Sequence, residues 1–282
     1  MYDTLVSTEV LAEHIGDPDW IICDCRFVLT NPEAGQTTYQ ESHLPGAVYF
    51  HLDRDLAGPI TSSSGRHPLP TVEQLSESFS RAGITAGTQI VAYDDANGAI
   101  AARLWWLARW LGHRQSAVLD GGWQRWGNEN LPTTADPATP VKRHFTPHRD
   151  DALLISTSEV LAIANGRKPG KLLDARAAER FQGRNETLDP VAGHIPGAVN
   201  LPFAGNVEIT GRFKRPAELH KRIEIALDGT RPEQAVCMCG SGVTACHDLL
   251  AMELAGFHGA QLYAGSWSEW IRDPSRPVAT GA

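Results

Sequence analysis

The feature that most constrains this 282-residue chain is that it repeats itself once. Asp24 and Arg26, in Ile21-Ile22-Cys23-Asp24-Cys25-Arg26, return as Asp174 and Arg176 in Lys171-Leu172-Leu173-Asp174-Ala175-Arg176, each displaced by 150 positions. His43-Leu44-Pro45-Gly46-Ala47-Val48 returns as His194-Ile195-Pro196-Gly197-Ala198-Val199, displaced by 151. Gly121-Gly122-Trp123-Gln124-Arg125-Trp126 matches Gly265-Ser266-Trp267-Ser268-Glu269-Trp270, displaced by 144. Three ordered matches separated by small insertions mean two copies of one fold, and the length suits two domains of ordinary size. The stretch Leu131 to Arg149, rich in Pro and Thr, reads as an extended linker. The expected organisation is an N-terminal domain over residues 1–135, a linker over 136–150 and a C-terminal domain over 151–282.

Within each copy, short apolar runs alternate with longer amphipathic ones. In the second copy, Leu172-Leu173-Asp174, Gly197 to Leu201 and Ala235 to Met238 read as buried strands. Thr157 to Asn165, Pro216 to Ile225 and Val243 to Ala255 have helical spacing, the last closed by Gly256. Alternating strands and helices predict an α/β fold in each domain, a mostly parallel sheet flanked by helices. In such sheets ligands bind beyond the carboxyl ends of the strands.

Cys239 falls at such a place, directly after the strand ending at Met238 and before the helix beginning near Val243. Gly240 and Gly242 allow turns that aim several backbone N–H groups at one centre, and the helix adds the positive end of its dipole. That arrangement suits an anion, and a cysteine at a helix N-terminus has its thiolate favoured. The competing reading, a buried structural cysteine, suits Cys237 within the strand and Cys246 within the helix. A zinc site from Cys237, Cys239, Cys246 and His247 lacks the usual ligand spacing. A phosphatase loop on this kind of sheet needs an arginine six residues after the cysteine to clamp phosphate, and position 245 is alanine.

The paired copies, the Asp-x-Arg and His-x-Pro-Gly-Ala elements, and Cys239-Gly240-Ser241-Gly242-Val243-Thr244 together resemble the tandem-domain rhodanese/3-mercaptopyruvate sulfurtransferase family over nearly the whole chain. The resemblance implies two rhodanese-like domains, the first catalytically silent. There the matching turn reads Tyr93-Asp94-Asp95-Ala96-Asn97-Gly98, with Asp94 or Asp95 in the nucleophile's place. It further implies that Cys239 carries sulfur as a persulfide, cradled by the backbone of Gly240, Gly242, Val243 and Thr244. Arg180 would hold a substrate carboxylate, and Arg184 would stand in for a second arginine that the stretch Glu186 to Pro190 lacks. Ser241, His67 and Asp53 would form a proton relay. The loop sequence is similar to that of family members preferring 3-mercaptopyruvate over thiosulfate, and Gly240 and Ser241 supply no cation for a dianion. The acceptor implied is cyanide, a small thiol or a thioredoxin-like dithiol. Two alternatives stay open: a thiosulfate sulfurtransferase, and a module that relays persulfide sulfur between proteins without turning over a small donor.

Composition sets the setting. A net charge of -8, from 33 acidic and 25 basic residues, argues against nucleic acid as a partner. The N-terminus lacks the basic and apolar segments of a leader, and no apolar run is long enough to span a bilayer, so a cytoplasmic protein with no membrane partner is expected. Five cysteines in so long a chain read as free thiols. No metal and no organic cofactor is implied, and the chain is expected to act as a monomer.

Overall fold

The first copy builds its sheet around β4 (Gln89–Tyr93), whose five residues are all buried. A strand covered by helices on both faces needs an unbroken apolar run, and Ile90-Val91-Ala92-Tyr93 provides one. The computed structural model describes residues 1–281. The remaining strands of the first sheet are β1 (Leu5–Val6), β2 (Trp20–Asp24), β3 (Val48–Tyr49) and β5 (Ser116–Leu119). Their order is β1-β5-β4-β2-β3, and every pairing is parallel. The helices are α1 (Thr8–Glu13), α2 (Ala34–Glu41), α3 (Leu52–Asp55), α4 (Val72–Arg81), α5 (Ala101–Trp110) and α6 (Gly122–Asn128). A full capping box, Thr71 with Gln74, starts α4.

The second copy repeats the plan with β6 (Lys171–Asp174), β7 (Val199–Asn200), β8 (Ala235–Met238) and β9 (Gln261–Leu262) in the order β7-β6-β8-β9, again all parallel. A parallel bridge from Leu154 to Leu262 occupies the place of β1 against β5. The helices are α7 (Thr157–Ala164), α8 (Ala178–Phe181), α9 (Pro216–Leu227), α10 (Ala245–Leu254) and α11 (Ser266–Trp270). The predicted strand over Ala235 to Met238 is β8, whereas α10 begins at Ala245, two residues later than its spacing suggested. Gly242, at φ 79°, keeps the chain out of helix until the loop is complete.

The repeated motifs are braces of this fold. Arg26 binds Asp24, and Arg176 binds Asp174, at Nη2 to Oδ2 distances of 2.6 and 2.7 Å. Each guanidinium lies over an indole, Arg26 on Trp123 and Arg176 on Trp267. His43 and His194 each stack on an aromatic ring, Tyr39 and Phe181, and bond the carbonyl oxygen of that same residue. These interactions explain why the motifs recur in both copies although only one copy carries the cysteine.

The two compact units interleave along the chain. The first comprises Met1–Gly58, Leu69–Asp150 and Glu208–Phe213, and the second comprises Pro59–Pro68, Asp151–Val207 and residues from Lys214 onward. The Pro-rich stretch 136–150, expected as an extended linker, is extended and straps the first unit. Arg143 and Phe145 donate backbone N–H groups to Ser80, and His148 does so to Leu111. Phe145 is buried edge-on against Phe79, which anchors the strap.

Candidate active site

Cys239 leaves the carboxyl end of β8 almost fully buried. The Gly242 N–H donates to its Sγ at 3.1 Å. Three further backbone bonds hold the loop: Cys239 N–H to Ser266 Oγ at 3.0 Å, Trp267 N–H to Cys239 O at 3.0 Å, and Ser268 N–H to Gly240 O at 2.9 Å. Position 242 admits only glycine, because a methyl group there would lie 2.2 Å from the Ala264 carbonyl oxygen. Val243 is buried, and Thr244 caps the start of α10. A sulfur atom so placed accepts a backbone N–H, with five residues between Cys239 and the start of α10 at Ala245.

The second unit draws the segment Pro59–Pro68 from the N-terminal half of the chain, and with it His67. Its buried ring places Nδ1 2.7 Å from Ser241 Oγ. The segment is pinned by Arg66 N–H to Ser268 Oγ at 3.0 Å and by Arg272 Nε to Ser64 O at 3.1 Å. Two members of the expected relay are therefore hydrogen-bonded. Asp53 is exposed in the first turn of α3, in the other unit, where its N–H donates to His51 Nδ1.

Arg180, on α8, reaches the loop as expected. A methyl group built on Gly240 would lie 3.4 and 3.6 Å from its two terminal nitrogens. The second guanidinium at Gly240 belongs to Arg66, whose Nη2 would be 2.9 Å from that methyl group. Arg184, expected in this role, is exposed, and its backbone N–H bonds the Glu179 carbonyl. Only folding brings residue 66 beside residue 240, so sequence spacing gave no sign of it beyond its adjacency to His67. Acidic side chains answer these cations. Asp189 is bridged by Arg66 Nη1 and, at 3.1 Å, by Arg180 Nη2. Glu186 takes Arg180 Nε at 3.0 Å and lies 3.6 Å from Arg176 Nη1. Burial pushes the Glu186 carboxyl up, but the Arg180 bonds and the N–H groups of Leu188 and Asp189 outweigh it and hold the carboxyl below its ordinary value. Burial holds Asp189 above its ordinary value against the pull of Arg66 and Arg180.

A rhodanese-like domain model matches residues 7–129 and again 156–273. The chain belongs to the tandem-domain rhodanese sulfurtransferase family. It is 46% identical to a probable 3-mercaptopyruvate sulfurtransferase of Pseudomonas aeruginosa over 98% of both chains. It is 33% identical to the thiosulfate sulfurtransferase of Rattus norvegicus, over 100% of this chain and 97% of that one. Among solved structures it is similar to 3-mercaptopyruvate sulfurtransferase from Leishmania major, with a TM-score of 0.85 at 27% identity, covering 96% of this chain and 76% of that one.

Strand register settles which residue of the first rhodanese copy corresponds to Cys239. Asp24 pairs with Tyr93 and Asp174 with Met238, so Asp94 is the counterpart of Cys239. The backbone agrees: Trp123 N–H bonds Asp94 O as Trp267 N–H bonds Cys239 O. The other cysteines sit deeper. Burial pushes the thiols of Cys23, Cys25 and Cys237 up, which keeps them protonated and inert. Cys237 Sγ packs 3.7 Å from Met252 Sδ, and Cys246 Sγ donates to the Gly242 carbonyl at 3.3 Å. Among the described residues, no group of three His, Cys, Asp or Glu side chains is gathered as a metal site.

Proposed function

We propose that this sulfurtransferase takes sulfur from 3-mercaptopyruvate onto Cys239 and passes it to a thiol or cyanide, releasing pyruvate. The reading is carried by Cys239 Sγ receiving the Gly242 N–H in a loop overlain by Arg66 and Arg180, and the Pseudomonas relative's name supports the donor. Arg180 and Arg66 offer two-pronged donors to the substrate carboxylate. The Cys239 thiolate attacks the donor sulfur, the carbon–sulfur bond breaks, and its electron pair stays on the departing pyruvate enolate. The proton of the donor thiol is transferred to the enolate carbon, with Ser241 and His67 as the relay. Pyruvate and a Cys239 persulfide anion result, the anion held by the N–H groups of Gly240, Gly242, Val243 and Thr244. An acceptor nucleophile then takes the outer sulfur and restores the thiolate, completing a double displacement.

A second reading, thiosulfate as donor, is favoured by the two guanidiniums at Gly240 and by the similarity to a thiosulfate sulfurtransferase. The test is thiocyanate formation from each donor with cyanide as acceptor. A larger kcat/KM with 3-mercaptopyruvate is expected, and a thiosulfate preference of about tenfold or more overturns the donor assignment. Cytoplasmic location, a monomeric state and a thioredoxin-like acceptor complete the proposal. Fractionation, sedimentation and reduction by a thioredoxin system check them in turn.

A further inference from the structure

We propose that Asp189 is an internal ligand of the Arg66–Arg180 pair, displaced by the anionic donor, and that it sets discrimination between singly and doubly charged donors. The inference rests on the reading of Arg66 and Arg180 as the donor's anion site.

Two neighbouring carboxylates are held in different ways. Glu186 is fixed by Arg180 and by the backbone N–H groups of Leu188 and Asp189, at 2.9 and 3.1 Å. Among the described residues, the partners of the Asp189 carboxylate are the two guanidiniums alone. Those are the groups that overhang Gly240. An incoming carboxylate seeks the same donors in the same planar geometry, so Asp189 and donor compete for one site. Asp189 also lies between the end of α8 at Phe181 and the start of β7 at Val199, a stretch with no helix or strand. Among the described residues, buried Arg66 Nε has no hydrogen-bond partner, a donor left for an added acceptor.

Charge balance gives the exchange its selectivity. Arg66, Arg176 and Arg180 are linked to Asp174, Glu186 and Asp189, three charges of each sign. With Asp189 in place the cluster has no net positive charge to offer a donor approaching a thiolate. That deficit weighs more on a dianion than on a monoanion. Asp189 therefore acts against thiosulfate more than against 3-mercaptopyruvate, a repulsive element of the kind specificity requires.

The test compares the wild-type chain with Asp189→Asn, which keeps the side chain's size and an acceptor oxygen but loses the charge, and with Asp189→Ser. Pyruvate, a carboxylate that carries no transferable sulfur, is titrated calorimetrically. Both variants should bind it about fivefold tighter than wild type. KM for thiosulfate should fall more than KM for 3-mercaptopyruvate, with kcat changed by less than about twofold. A merely structural carboxylate predicts the opposite sign: weaker pyruvate binding and a loss in kcat. Unchanged or weaker pyruvate binding in variants with the wild-type melting temperature overturns the proposal. Should Asp189→Asn fold poorly, Asp189→Ser decides by the same criterion. Pyruvate binding needs no turnover, so failure of the wild type to turn over 3-mercaptopyruvate would refute the donor assignment and leave this result standing.

Discussion

The loops after β4 and β8 are built alike and hold different acceptors. In the first, Asp94 is fully buried, and its carboxylate accepts four backbone N–H groups, from Ala96, Gly98, Ile100 and Ala101, each at 2.8 Å. In the second, Cys239 Sγ accepts the N–H of Gly242 at 3.1 Å. The difference teaches that the nest of backbone donors comes with the fold, whereas the reactivity comes from what fills it. Asp94 saturates its nest and has no bond to give or take. Arg66 and Arg180 lie beside the Cys239 loop at Gly240, and Ser241 in it bonds His67.

The comparison breaks most sharply if the loops are made alike. Cys239→Asp should turn the second loop into a copy of the first and abolish thiocyanate formation, a loss of at least about 10⁴-fold, with the thermal midpoint retained. Residual activity above background would show that another thiol carries the sulfur. Gly242→Ala forces a side chain against the Ala264 carbonyl at positive φ. It should cost about 1–3 kcal/mol and lower kcat by roughly 10²-fold, read by denaturant unfolding and steady-state kinetics.

The first loop should answer in stability and not in chemistry. Asp94→Ala leaves four N–H groups without their acceptor, two of them buried, and should destabilise the chain by about 2–4 kcal/mol. The effect on kcat at a temperature where the variant is folded should be under about twofold, and a much larger loss would mean the first loop takes part in turnover.

The helices behind the loops supply the mildest test. α5 buries Arg103, while α10 buries His247 and Asp248. Burial pushes the Asp248 carboxyl up to about 8, although Asn206 Nδ2 donates to it at 2.6 Å and the Arg222 charge lies nearby. Between the ordinary aspartate value and about 8, the folded chain thus holds a proton that the unfolded chain releases. Stability contributed by that neutral carboxyl is full at acid pH and is lost as pH rises towards 8. Asp248→Asn should therefore raise the thermal midpoint by a few degrees at pH 8 and barely at pH 4, as seen by calorimetry. An equal shift at both values would place the effect in packing.

Much of this was legible in residue order. Repetition of Asp-x-Arg and His-x-Pro-Gly-Ala told of two copies, and the run from Ala235 to Met238 placed Cys239 at the end of a buried strand. Both are local signals: a buried parallel strand must be apolar throughout, and a strand-loop-helix turn must carry glycine where φ is positive. Of the charge around the site, the same local view reaches Arg180 and not Arg66. Gly240 and Ser241 supply no cation, yet two guanidiniums overhang Gly240.

Sequence by itself determined the duplicated α/β fold, the family and Cys239, because backbone geometry ties those to neighbouring residues. Tertiary structure alone decided that Asp94, and not Asp95, is the counterpart of Cys239, that Arg66 lies with Arg180 at Gly240, and that Asp189 bridges that arginine pair. Residues 66, 180, 189 and 240 share no periodicity. What joins them is the packing of Pro59–Pro68 into the second unit, and contacts made across such sequence distances leave no pattern in the order of residues.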